Sequence, residues 1–119
     1  MKLTEAEWSV LEVLWGGEGF SLKEITSALE PVQGWSKKTV LTYLTRMEGK
    51  GLVEIDRSKD KPYMAGVSRE ACAKEERQEL CNKVYGGATG DLIAAFLKEA
   101  TISQEEIAHL KKLLDEMEV

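Results

Sequence analysis

Residues 34–54, GWSKKTVLTYLTRMEGKGLVE, gather hydroxyls and cations: Ser36, Lys37, Lys38, Thr39, Thr42, Thr45 and Arg46, with no acid before Glu48. Lys and Arg bind phosphates or guanine edges, and Thr donates to phosphate or touches a thymine methyl, so this mixture suits the surface of DNA. If a helix begins at Ser36, its first backbone amides also face outward toward an anion. With Val40, Leu44 and Met47 turned inward, helical geometry puts Lys38, Thr42, Thr45 and Gly49 on the opposite side and Thr39 and Arg46 on one flank. A solvated helix face that merely lacks acids would have the same composition.

The charge distribution separates these alternatives further. The whole chain of 119 residues carries a formal net charge of -5. Yet Ser36 to Tyr63 holds seven Lys or Arg against four acids, a net of +3, whereas Glu70 to the end holds six against eleven, a net of -5. The acidity therefore lies in the tail, away from the basic stretch. Arg57, Lys59 and Lys61 add cations that could reach a DNA backbone or minor groove. Asp56 and Asp60 sit among them, and charged tips also serve simply to stay solvated.

Positioning such a face requires elements, and their starts are marked. TEAE at Thr4–Glu7, SLKE at Ser21–Glu24 and SQEE at Ser103–Glu106 match the capping box; Ser36 and Ser68 read as simple N-caps. The first helix is expected to bury Trp8, Leu11, Leu14 and Trp15 before Gly16 and Gly17. The second offers Leu22, Ile25 and Leu29 and stops at Pro31; the third buries Val40, Leu44 and Met47, with Tyr43 alongside. LVEI and YMAGV then read as short strands joined by the polar DRSKDKP, a hairpin with a long tip. Three helical runs follow, at about 69–85, 88–100 and 103–117.

Helix, helix, helix, hairpin is the layout of a winged helix-turn-helix, in which the second motif helix enters the major groove. The fold class expected is mainly α with a small β-hairpin: a winged helix-turn-helix DNA-binding domain over 1–69 and a helical dimerisation region over 70–119. In the last helix Ile107, Leu110, Leu114 and Met117 recur at three, four and three, a seam narrow enough for a partner helix. Leu92, Ile93, Phe96 and Leu97 would widen it into an isologous two-fold interface. The other arrangement is that both helices fold back on their own winged domain. A dimer would also sum the few phosphate contacts that a region of net +3 can make.

Other classes find little support. There is no Gly-x-Ser-x-Gly, Walker or His-Glu-x-x-His pattern, and GGATGD at Gly86–Asp91 follows a helix rather than a strand, so no enzyme and no cofactor is expected. Cys72, Cys81 and the lone His109 are too scattered for a metal site. On one helix the two cysteines lie about 180° apart and read as reduced, buried small hydrophobes, an intersubunit contact being the alternative. The longest apolar run, Leu92 to Leu97, is far too short to span a bilayer, and Glu5, Glu7 and Glu12 break any signal-peptide core, which makes a cytoplasmic location the expectation.

LTEAEWSVLEVLW, GWSKKTVLTYLTRMEGKGLVE, KPYMAGVSREA and VYGGATGDLIAAFLKEATISQEEIAHLKKLL together resemble the penicillinase-repressor family, the BlaI/MecI/CopY type of winged-helix regulator. The resemblance covers nearly the whole chain. It implies a homodimeric transcriptional repressor on an inverted repeat with TACA/TGTA-like half-sites. Ser36, Lys38, Thr39, Thr42 and Arg46 would contact DNA, and the hairpin, with Lys59 and Lys61, would be the wing. Lys37 stands where the family often has Pro, and Leu41 where it often has Lys or Arg. The family also implies a sensor pathway with a regulatory protease cutting an Asn-Phe bond; here Ala95 and Phe96 occupy that position. The C-terminal Cys cluster of the copper branch is missing. The competing reading is a dimeric winged-helix adaptor that binds protein and never DNA.

Overall fold

The computed structural model describes residues 2–117. In chain order the elements are α1 (Glu5–Leu14), α2 (Leu22–Gln33), α3 (Lys37–Gly49), β1 (Val53–Ile55), β2 (Tyr63–Ala65), α4 (Arg69–Tyr85), α5 (Thr89–Glu99) and α6 (Gln104–Glu116). The chain divides into two compact units, the first ending at Arg77 and the second beginning at Gln78. The first unit extends beyond the start of α4 because Cys72, one turn into that helix, belongs to its core.

Local signals account for the helix starts. Thr4 and Ser21 each accept from the amide three residues on, and Glu7 and Glu24 reach back to the cap amides, so both capping boxes form. Ser68 Oγ accepts from the Ala71 amide at 3.1 Å and opens α4. At Ser103 the box is incomplete: its Oγ accepts from the Glu106 amide, but Glu106 Oε1 takes the Ser103 hydroxyl rather than the backbone.

One helix end differs from the sequence expectation. Pro31 does not stop α2, which runs on to Gln33. Proline removes one helical hydrogen bond, here from the Ser27 carbonyl. Both residues are exposed, so that carbonyl can turn to water. Gly34 ends the helix instead: at φ 65° it occupies the left-handed region, and its N–H donates to the carbonyls of Leu29 and Glu30.

Val10, Leu11, Ile25, Val40, Leu44 and Met47 are all fully buried, joined by Leu14, Leu29, Leu52 and Val53. Each such side chain contributes about 2 kcal/mol on burial, and those from α1 and α2 are what turn Val40, Leu44 and Met47 inward. The buried stripe of α1 is rotated from the one expected. It runs through Val10, Leu11 and Leu14, while Trp8 and Trp15 are half-buried at its edge. Indole N–H groups need partners: Trp8 donates to Glu12 at 2.9 Å and Trp15 to the Val67 carbonyl at 2.9 Å.

β1 and β2 pair antiparallel, with Val53 opposite Ala65 and Ile55 opposite Tyr63. A third segment joins them. Phe20 and Tyr63 exchange both backbone hydrogen bonds at 3.0 Å, tying the link between α1 and α2 to the hairpin. Gly19 permits this approach, since a Cβ there would lie 2.8 Å from the Lys61 carbonyl oxygen.

In the second unit Gly86 and Gly87, both at positive φ, make the joint between α4 and α5. Neither α5 nor α6 buries a residue. Cys72 and Cys81 are both free and buried, and burial pushes the Cys72 thiol pKa up. Among the described residues no helix is long and apolar enough to cross a membrane.

Candidate nucleic-acid interface

The site begins at a cap. Ser36 Oγ accepts from the Thr39 amide at 3.2 Å and lies 3.1 Å from Thr39 Oγ1, which starts α3 immediately before two lysines. Trp35 stacks on Tyr43 with ring centroids 4.4 Å apart and planes 11° from parallel, clamping the approach to the helix against its second turn. With Val40, Leu44 and Met47 fully buried, the opposite face can only point outward.

That outward face holds Lys38, Thr42, Thr45 and Arg46, all exposed, with Lys37 and Ser36 at its start and Thr39 half-buried. Three of the hydroxyls are already engaged, Ser36 and Thr39 with each other in the cap and Thr42 by donating to the Lys38 carbonyl at 3.0 Å. An engaged hydroxyl retains its oxygen lone pairs, and the Thr42 methyl remains available for apolar contact. Leu41, 42% exposed, stands on the flank. Among the described residues Lys37, Lys38 and Arg46 have no carboxylate within ion-pair distance.

The hairpin cations differ. Lys59 lies 3.8 Å from Asp56, Lys61 3.1 Å from Glu24 on α2, and both Arg57 Nη atoms 3.3 Å from the Glu48 carboxylate on α3. Ser58 donates its hydroxyl and amide to Asp56 Oδ1, and these bonds, helped by Lys59, hold the Asp56 pKa below its ordinary value. The pKa of Glu24 is likewise lowered, chiefly by the Ser21 amide and then by Lys61, and Glu48 raises that of Arg57. Lys59 and Lys61 are thus placed on the tip, as expected, but each already faces a carboxylate. Sequence reasoning missed Glu24 and Glu48, because partners 37 and 9 positions away carry no local signal.

Of the residues assigned to a dimer seam, Leu92, Ile107 and Leu110 are half-buried. Ile93, Phe96, Leu97, Leu114 and Met117 are between 44% and 66% exposed. Leu80, Val84 and Leu113 are comparably exposed and were not anticipated. Ala95 is half-buried beside Phe96 on α5, and His109 lies exposed on α6. Among the described residues no His, Cys, Asp or Glu cluster could hold a metal ion.

Three helices with a hairpin bridged back to the α1–α2 link define a winged helix-turn-helix, here followed by further helices. The chain belongs to the penicillinase repressor family, whose profile matches residues 3–116. It is similar to the methicillin resistance regulatory protein MecI of Staphylococcus aureus (strain N315), with 31% identity over 117 residues covering 96% of this chain and 94% of the relative. The penicillinase repressor of Staphylococcus aureus is 25% identical over 118 residues, covering 98% and 94% of the two chains. In fold it is similar to monomeric BlaI of Bacillus licheniformis, solved in complex with the blaP half-operator. That likeness has a TM-score of 0.52 at 24% identity and covers 59% of this chain and 87% of the other.

Proposed function

We propose that the chain is a homodimeric, sequence-specific DNA-binding transcriptional repressor that lays α3 in the major groove of an inverted repeat with TACA/TGTA-like half-sites. The observation that carries this reading is the outward face of α3, where Lys37, Lys38 and Arg46 stand without carboxylate partners among the described residues. Cations with no internal partner are free to meet phosphates or guanine edges, and the exposed Thr42 and Thr45 between them suit phosphate oxygens and thymine methyls. Ser36 and Thr39 form the capped start of the helix, where backbone amides favour a phosphate. Lys59 and Lys61 serve the wing, along the backbone.

Membership of a repressor family supports the reading, as does the fold shared with an operator-binding relative. The exposed apolar residues of α5 and α6 support a two-fold partner, which brings two reader helices to the two half-sites. Fluorescence anisotropy with a labelled TACA/TGTA inverted-repeat duplex and a scrambled control, across a salt series, tests it. Tight binding to the repeat that weakens steeply with salt is expected. Equal, weak binding to both duplexes would favour the protein-binding adaptor, to which the exposed Leu41 would then belong.

A further inference from the structure

We infer that Glu24 and Glu48 act as internal counter-ions that hold the wing cations Lys61 and Arg57 against the helix-turn-helix and so set the strength and salt dependence of DNA binding. The inference rests on the proposed reading of the chain as a DNA-binding protein.

Lys50 is held by Glu7 at 2.8 Å, and the other cations of the basic region fall into two groups. Those on α3, Lys37, Lys38 and Arg46, are unpaired among the described residues, whereas Arg57, Lys59 and Lys61 on the hairpin each face a carboxylate. Lys59 pairs within the tip itself, with Asp56. The other two reach across the domain: Lys61 to Glu24 near the start of α2, and Arg57, through both Nη atoms, to Glu48 near the end of α3. A bidentate Arg–carboxylate pair fixes direction as well as distance.

Glu24 is held independently of Lys61. Its Oε1 accepts from the Ser21 amide at 2.9 Å as half of the α2 capping box, which leaves Oε2 facing Lys61. The carboxylate is therefore placed by the helix cap. The Lys61–Glu24 side chains are 60% and 42% exposed, so the pair can open in solution.

A phosphate that takes Lys61 must displace Glu24, and the freed carboxylate then recruits a cation from solution. That uptake offsets the counterion released from DNA, so the contact adds little to the salt dependence. The same exchange applies to Arg57 and Glu48. The pairs thus orient the wing while lowering its affinity for any duplex, which shifts discrimination toward the contacts of α3.

Glu24→Gln and Glu48→Gln test this in the full chain, by anisotropy on the TACA/TGTA repeat and on a mixed-sequence duplex across a salt series. Gln preserves the capping box at position 24. Each variant is expected to bind both duplexes about two- to fivefold more tightly at low salt. The slope of log K against log salt should steepen by about 0.9 in each. The gain from Glu24→Gln should vanish in a Lys61→Gln background, and that from Glu48→Gln in an Arg57→Gln background. Asp60→Asn, which removes a tip carboxylate with no ion pair among the described residues, should give a smaller gain. Unchanged affinity and slope, gains that survive loss of the cation, or an equal gain from Asp60→Asn would overturn the inference while wild-type binding left the functional reading intact. A wild-type chain that binds neither duplex would remove both.

Discussion

Lys38 and Arg46 occupy positions eight residues apart on one exposed face of α3, with Thr42 between them. Neither side chain takes part in a hydrogen bond or ion pair of the fold among the described residues, so replacing either should leave stability nearly unchanged. Arg46→Ala is expected to weaken repeat binding by about 1–3 kcal/mol if it reads a base, with some loss of preference over scrambled DNA. Lys38→Ala, acting on phosphate, should weaken binding to both duplexes and reduce the salt slope by about 1. Anisotropy combined with thermal unfolding checks both, and normal affinity in the two variants would remove α3 from the interface. Leu41 sits on the flank of this face, where the family often has a cation. An apolar side chain in that place changes the exposed flank of the helix without disturbing its packed side.

At the scale of elements, orientation matters more than any one contact. Glu7 joins two helices: its Oε1 accepts from the Thr4 amide at 3.0 Å in the α1 cap, while Oε2 accepts from Lys50 Nζ at 2.8 Å, just beyond α3. Burial alone would raise the Glu7 pKa, but the hydrogen bonds from Lys50 and Thr4, with the charge of Lys50, together hold it below the ordinary 4.5. A depressed carboxylate stabilises the fold above its unfolded pKa, and that contribution is lost as pH falls through the folded value. Glu7→Gln, which can retain the cap bond, should cost about 1 kcal/mol at pH 7. Urea unfolding of the two proteins should converge as pH drops below 4.5. A difference that did not change with pH would mean that Glu7 acts through packing rather than charge.

For the whole molecule the governing fact is the contrast between the two units. The first has a closed apolar core, whereas in the second only Cys81 is buried among the described residues, and Leu80, Val84, Ile93, Phe96, Leu97, Leu113, Leu114 and Met117 remain exposed. Leaving so many large apolar side chains in water is unfavourable, which is the physical ground for proposing a second copy against them. Leu110→Asp would put a charge in the proposed seam. Sedimentation should then find monomers, and operator affinity should fall on the order of 10²-fold or more as the two half-sites lose their linkage. An intact dimer would show that the seam lies elsewhere on the helical tail.

Features that depend on near neighbours are written in the residues themselves. The caps at Thr4, Ser21, Ser36 and Ser68, the three inward residues of α3, the hairpin and the bounds of the tail helices follow from hydroxyls, glycines and apolar periods within a few positions. The polar face of α3 was legible for the same reason, since fixing Val40, Leu44 and Met47 inside fixes the other side of the helix. Features that depend on distant partners arise only on folding. Val10 enters the core while Trp8 and Trp15 move to its rim, where their indole N–H groups find acceptors. Phe20 bridges to Tyr63, Glu7 to Lys50, and Glu24 to Lys61, the second pair being 43 positions apart. No local period encodes such meetings: they exist only once the hydrophobic core has brought the helices and the hairpin together.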